Sequence, residues 1–406
     1  MTVTPTETAT AAESDTHAPS VRAPTAVGRS GWLAVGAVGF GIFALVTTEF
    51  LPASLLPRIA ADMGTTEGAA GQAVTATAVM GALTAPTIAA IVPRLDRRYL
   101  LIALTALGLL SNVLVAVAPS YWLLLASRVL LGAALAGFWA MALAVVGSIL
   151  PADRMGRGMT IVNVGVSLAT VVAVPLGTYL GEAWGWRPVF WLAAGLSLVA
   201  LLALAAWLPS VAPSGAPGLR TVIATARTRA MTLGLIAIGL VAGGHFAAFT
   251  YVRPAAELVP DMDPERLALL LTIFGLGTFV GTVISGQIAD RRLRLGILIA
   301  PIFIGASTSA FALVAGSYVA VAVTVAVWGA AFGGVPTLVM TWIARVEPDR
   351  LEAAGSLATG MFQVAIASGA AVGGVLLDVF DVRVALLIAG AAAAVGGVLF
   401  ASARKV

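Results

Sequence analysis

Twelve transmembrane helices in two pseudo-symmetric six-helix bundles, an all-α membrane protein, is the fold class this sequence predicts. Three observations predict it. Apolar runs of about 20 residues, the length a helix needs to cross a bilayer, recur along nearly the whole chain. Only 10% of the residues are charged, against about 25% in soluble domains. Several residue patterns of the first half return in the same order in the second.

The 406 residues are 60% hydrophobic, with a mean hydropathy of +1.01. There is no cysteine, which excludes disulfides, thiolate zinc sites and cysteine nucleophiles. Lys405 is the only lysine, which excludes a P-loop, whose glycine turn must be followed by lysine. Any pumping therefore draws on an ion gradient or a partner, and no cofactor or metal is expected. The net charge of +4 does not imply nucleic acid, because basic residues in a membrane protein follow topology. There is no metal-ligand cluster, and neither His17 nor His245 has a nucleophile at a useful spacing, so an enzyme is not expected.

Residues 1–30 are rich in Thr, Ala, Ser, Pro and Glu and read as a disordered cytoplasmic tail without the pattern of a signal peptide. The spans follow at 32–55, 69–92, 99–117, 121–145, 159–181, 188–208, 231–252, 266–288, 296–315, 318–342, 354–377 and 383–402. The six before the proline-bearing break at 209–230 form a bundle over 31–208, and the six after it a bundle over 231–406. Within the break, Leu219–Arg229 is either a short basic helix on the inner leaflet or a plain solvated linker. An even number of spans puts both termini on one side. Arg97, Arg98, Arg154, Arg157, Arg220, Arg291, Arg292, Arg294, Arg345 and Arg350 fall on that side, while Arg58, Arg187, Arg253, Arg266 and Arg383 fall on the other. The positive-inside rule then makes both termini cytoplasmic.

The first span closes on Thr47-Thr48-Glu49-Phe50-Leu51-Pro52. On a helix, Ile42, Leu45, Val46 and Ala53 share the face of Glu49, so the acid has no polar neighbour of its own. Inside a bilayer such a group costs about 2.5–3.5 kcal/mol on insertion scales and should face a cavity or a partner on another helix. Pro52 lacks an amide hydrogen and frees the carbonyl of Thr48. The alternative places Glu49 at the outer interface, merely hydrated. In the fourth span, Arg128 stands in an apolar run and needs a counter-charge or carbonyl partners, unless it snorkels to the nearby surface.

The halves echo one another. Gly41-Ile42-Phe43-Ala44 returns as Gly244-His245-Phe246-Ala247. Gly137 lies fourteen residues before Pro151 with Asp153-Arg154 beyond, as Gly334 lies before Pro348 with Asp349-Arg350. Gly158 and Gly177 share their spacing with Gly355 and Gly374. Such parallel repeats are a transporter device. Small residues four apart, as in Gly177/Gly181, Gly277/Gly281 and Gly369/Gly373, permit close helix packing.

Over residues 31–402 these features resemble the major facilitator superfamily, in its twelve-helix drug:proton antiporter branch. Gly286-Gln287-Ile288-Ala289-Asp290-Arg291-Arg292-Leu293-Arg294 is similar to the family's loop signature. The resemblance implies that Gly286 admits a close approach and that Asp290, Arg291 and Arg294 lock the inner helix ends through charge pairs. The matching loop between the second and third spans departs from the signature, with Ala89 for the glycine, Pro93 for the aspartate, and Asp96 before Arg97-Arg98. Asp96 is then the candidate for a displaced lock. Leu124-x-x-x-Arg128-x-x-Leu131-Gly132 resembles the branch's arginine motif, and Val174-Pro175-Leu176-Gly177-Thr178 its antiporter motif, with valine where the branch has glycine before Pro175.

Thr47–Pro52, Gly71–Ala78, Ser111-Asn112, Gly137–Met141 and Gly244–Ala247 together resemble bacterial purine ribonucleoside efflux pumps. That resemblance implies a proton-coupled antiporter of a bacterial inner membrane, acting as a monomer on a small molecule. Glu49 would bind the driving proton, and Arg128 or a substrate group would approach it in one state only. A nucleoside needs a stacking surface and amide or hydroxyl partners. Trp139 and Tyr251 could stack, while Thr48, Asn112, His245 and Gln363 could hydrogen-bond. A sugar or a lipophilic drug remains the alternative cargo, and a non-transporting membrane receptor the alternative class.

Overall fold

The computed structural model describes residues 1–2, 29–65, 67–213 and 218–403. The tail read over 1–30 lies almost wholly outside them. Among the described residues the chain is helical throughout. Its first half holds α1 (Arg29–Met63), α2 (Glu67–Ile91), α3 (Arg97–Val117), α4 (Tyr121–Ile149), α5 (Met155–Trp184) and α6 (Trp186–Trp207). A short α7 (Leu219–Ala226) precedes α8 (Arg229–Phe249), α9 (Val252–Ala256), α10 (Pro264–Val314), α11 (Tyr318–Val346), α12 (Leu351–Val379) and α13 (Val382–Ser402).

Ten of these helices are long and apolar enough to cross a membrane. One of them, α10, is two spans joined end to end, bending where Arg292 leaves helical geometry (φ −141°, ψ 45°). With the 25-residue α2, which contains the apolar stretch Ala76–Ile88, twelve membrane-length helices result. The two eighth- and ninth-span runs thus meet in a kink rather than in a loop. The first helix also outruns its expected end, passing Pro52 and Pro57 to reach Met63. Pro52 removes one helical hydrogen bond, and a partner described below replaces it.

Helix starts are set by side-chain caps where the sequence supplies them. Asp263 accepts from the Arg266 N–H (2.7 Å) ahead of Pro264, and Asp381 from the Val384 N–H (2.8 Å). Gly185 alone joins α5 to α6; its φ of +85° is a backbone conformation that disfavours a side chain. The echoed Pro151 and Pro348 each open a one-turn 3₁₀ segment, Ala152–Arg154 and Pro348–Arg350, that leads into α5 and α12.

Packing repeats with the sequence. In the first half α1 packs on α5, α2 on α4 and α3 on α6; in the second α8 packs on α12, and α10 on both α11 and α13. Gly281 makes one of these contacts possible, since a Cβ there would overlap the Ala330 backbone of α11. Between the halves, α5 meets α10 and α11, and α12 meets α2 and α4. Neither α1 nor α8 forms a packed interface with the opposite half. The halves are therefore joined through α5 with α10 and α11, and through α12 with α2 and α4, and not through α1 or α8.

Candidate functional site

The first half buries a polar cluster under Glu49. Arg128 is 1% exposed. Its Nη1 donates to the Thr48 carbonyl (3.2 Å), the one that Pro52 deprives of its helical donor, and its Nη2 to Ser111 Oγ (3.3 Å). The guanidinium also lies 5.4 Å from the Phe190 ring centre. Asn112 Nδ2 donates to Thr48 Oγ1 (3.0 Å) and to Ser197 Oγ (3.1 Å), so α1, α3 and α6 are tied together. Glu49 is partly buried and near enough to Arg128 for their charges to interact, yet no ion pair closes between them. Asn112 Oδ1, Arg128 Nε and Thr47 Oγ1 are buried without a hydrogen-bond partner. The cluster thus keeps spare donors and acceptors around its acid.

The second half holds an aromatic cluster instead. His245 of α8 is 1% exposed, and its Nδ1 accepts from Trp328 Nε1 of α11 (3.0 Å). Its ring stacks on Phe332 (centroids 3.3 Å apart, 8° between planes), with Phe249 and Phe274 nearly parallel at 5.5 and 6.0 Å. Phe246, Phe249 and Phe332 keep partly exposed faces.

The other residues expected in a binding site divide between these clusters and the seam. Thr48 and Asn112 are fully buried and occupied with each other, so they brace the first half and do not open to a cleft. The Tyr251 hydroxyl donates to the Ala370 carbonyl (3.0 Å), which fixes the end of α8 against α12. Trp139 is half-buried in α4. Gln363 is half-buried where α12 meets Gly81 of α2. Gly177 is buried in α5, and the helix runs unbroken through Pro175.

At the terminal end two charged contacts bridge the halves. Arg97 is 0% exposed; its Nε donates to Glu352 Oε1 of α12 (2.6 Å), its Nη2 pairs with Glu352 Oε2, and its Nη1 donates to the Val92 and Leu95 carbonyls (2.8 and 2.9 Å). Asp290 accepts from Arg157 Nε (2.9 Å) and from the Gly156 N–H (2.7 Å) of α5. Gly286 permits this approach, because a Cβ on it would meet Thr160. Arg345 donates to the Ala289 and Asp290 carbonyls (2.8 and 2.9 Å). The expected cations are not those used. Arg291 is exposed beside a cleft of about 370 Å³ lined also by Asp153, Arg157, Gln287 and Asp290, and Arg294 is exposed. Deeper in the seam, Asn163 Nδ2 donates to Thr337 Oγ1 (3.1 Å), and Ser167 and Thr282 share a hydroxyl bond (3.0 Å).

Asp96 does not form the displaced lock. Its carboxylate caps α3 through the Arg98 N–H (2.8 Å) and accepts from the Val211 N–H (3.1 Å) and Ser210 Oγ at the start of the linker, so none of these partners lies in the second half. Arg98 reaches the Ala205 carbonyl (2.7 Å) in the same strap. Partial burial alone would raise the Asp96 carboxyl. The hydrogen bonds from Ser210, Val211 and Arg98, with the charge of Arg98, outweigh it and hold the group below the ordinary carboxylate range. Asp96→Ala is expected to cost about 1 kcal/mol at neutral pH, the usual size of a lost N-cap. A depressed folded pKa contributes stability above the unfolded value and loses it as pH falls through the folded one. Thermal unfolding in detergent should therefore show the gap between wild type and variant closing only below about pH 4.

Glu352, Asn163, Thr282, Thr337, Trp328 and Phe332 were not among the residues expected from sequence. For Glu352 a signal existed: an acid in the first turn of a span that faces a loop missing its aspartate.

The profile of the Major Facilitator Superfamily matches residues 38–346 and 235–406. The purine ribonucleoside efflux pump NepI of Salmonella typhimurium (strain LT2) is 38% identical over 365 residues, covering 90% of this chain and 92% of the pump. The E. coli fucose:proton symporter FucP superposes with a TM-score of 0.77 at 18% identity, covering 93% of this chain and all of that one. The human organic anion transporter MFSD10 (TETRAN) gives 0.75 at 16% identity, covering 91% and 98%. At those identities the two structures speak for the fold alone.

Proposed function

Given that the chain belongs to the major facilitator superfamily, a family of transporters and not of enzymes, we propose that it exports purine ribonucleosides in exchange for protons, by alternating access. The cargo follows the NepI pumps, with which this chain shares 37–38% identity over about nine-tenths of its length. The observation that carries the coupling is how Arg128 is bonded. Its donors go to Thr48 and Ser111, and Glu49 stays beside it without a closed ion pair. An acid so placed can lose or take a proton without dismantling the helix packing around it. The halves join at the terminal end, while α1 and α8 stand apart. That end is cytoplasmic by its arginines, so in this state the two bundles would part on the outward side. Rocking about the seam would present Glu49 and the cargo surface to each side in turn.

The test is accumulation of radiolabelled inosine and guanosine in inside-out vesicles, with and without an imposed proton gradient. Accumulation above the outside concentration only with the gradient supports both cargo and coupling. Accumulation indifferent to the gradient rejects coupling, and none at all rejects the nucleoside and redirects the screen to sugars and lipophilic drugs.

A further inference from the structure

His245 is enclosed by rings on almost every side, yet a histidine is not needed to fill an aromatic core. Trp328 Nε1–H can only donate, so the Nδ1 it reaches at 3.0 Å must carry a lone pair. The ring proton then sits on Nε2. That nitrogen has no hydrogen-bond partner among the described residues, and it keeps contact with accessible space, unlike the sealed polar atoms of the first half. Phe332 and Phe249 both stack on the ring and hold its plane within 17° of their own. The ring therefore cannot turn over without breaking the Trp328 bond and both stacks.

We propose that Trp328 is a positioning residue that holds His245 as a neutral imidazole with its proton on Nε2. The second half then offers its cargo a single, directed hydrogen-bond donor framed by the exposed faces of Phe246, Phe249 and Phe332. This rests on the nucleoside reading and narrows it. The cargo is a flat heterocycle that carries an acceptor, such as a ring nitrogen or carbonyl oxygen, on the edge that enters the aromatic frame. The rings recognise the flat face without direction, and His245 supplies the direction. A sugar has no aromatic face for the frame, and a lipophilic cation that lacks an acceptor leaves the donor unmet.

The chain suits a direct measurement, because His17 and His245 are its only histidines. In a His17→Gln protein labelled with ¹⁵N-histidine and placed in lipid nanodiscs, the imidazole signals should show one tautomer, protonated on Nε2. Inosine should move the Nε2 signal. Trp328→Phe should lose the tautomer preference and raise the KM for inosine in vesicles by about tenfold, the size of one neutral hydrogen bond, with turnover nearly unchanged. Mixed tautomers in the Trp328 protein overturn the proposal. So does a fixed tautomer whose signal ignores inosine while vesicles transport it, and that outcome leaves the cargo reading standing. Absence of inosine transport overturns the cargo reading and this assignment with it. The measurement on the Trp328 protein decides the matter even if the phenylalanine variant does not fold.

Discussion

Glu352→Ala is expected to open the terminal end of the transporter. Arg97 is wholly buried, and two of its three nitrogens are held by Glu352 across the seam between the halves. Removing one partner of a buried pair costs about 3–5 kcal/mol, because the remaining charge stays out of water. Here the protein has a way to escape that cost. Separation of α3 from α12 would hydrate Arg97, so the penalty falls on the closed state and not on folding. Even 3 kcal/mol is more than about 100-fold in the ratio of the two conformers. The absence of native cysteine allows a clean readout. Ala140 is 0% exposed, with its carbonyl against Gly355. An Ala140→Cys thiol should be protected in the parent and label rapidly in Glu352→Ala. Arg97→Leu combined with Glu352→Leu should restore protection, since apolar replacement of a buried pair is often neutral or stabilising. Equal labelling in all three proteins would mean that the pair does not hold the state. The Asp290–Arg157 contact is the weaker of the two bridges, because the Arg157 side chain is 55% exposed and solvent screens it.

These two bridges have opposite polarity, and that explains how the sequence misled. From the end of the second span onward the halves are offset by 197 residues, as Ala89 with Gly286 and Gly158 with Gly355 show. At this offset Asp290 corresponds to Pro93, and Arg97 to Arg294. One loop supplies the acid and the other supplies the cation. A search for a second aspartate settles on Asp96, whose position just before the helix makes it a cap instead. The twelve spans were legible because bilayer length and hydropathy act on whole segments. The Arg128–Thr48 bond was legible in part, since a proline four residues on marks an orphan carbonyl and an intramembrane arginine needs one. The aromatic frame was not, because Phe274, Trp328 and Phe332 lie on helices distant in sequence from His245, and apolar rings in apolar spans carry no pattern of their own. Asn112 and Thr48 misled for a related reason. A polar side chain within a span must find a partner, and sequence alone does not say whether that partner is cargo or another helix.

Glu49→Gln is expected to abolish uphill transport while sparing exchange. Glutamine has nearly the shape of glutamate and keeps its hydrogen bonding, but it cannot change charge. If Glu49 carries the coupling proton, the variant should bring labelled inosine to equilibrium and no further, whatever proton gradient is imposed. Exchange of labelled for unlabelled inosine needs no net proton movement, so it should continue, and its rate should lose its response to pH. Arg128→Gln should behave differently. It removes the charge against which Glu49 ionises, and it also takes donors from the Thr48 carbonyl and Ser111 Oγ. A buried carbonyl left without its donor costs about 1–3 kcal/mol, which falls on the packing of α1 against α4. Exchange should therefore suffer along with accumulation, and thermal stability should fall, where Glu49→Gln leaves stability unchanged. That contrast separates the two roles: Glu49 moves the proton, and Arg128 builds the place in which it moves. Retained accumulation in Glu49→Gln would assign the proton elsewhere. Among the described residues the spans of the first half hold no other acid buried beside a cation, so coupling would then have to run through the second half.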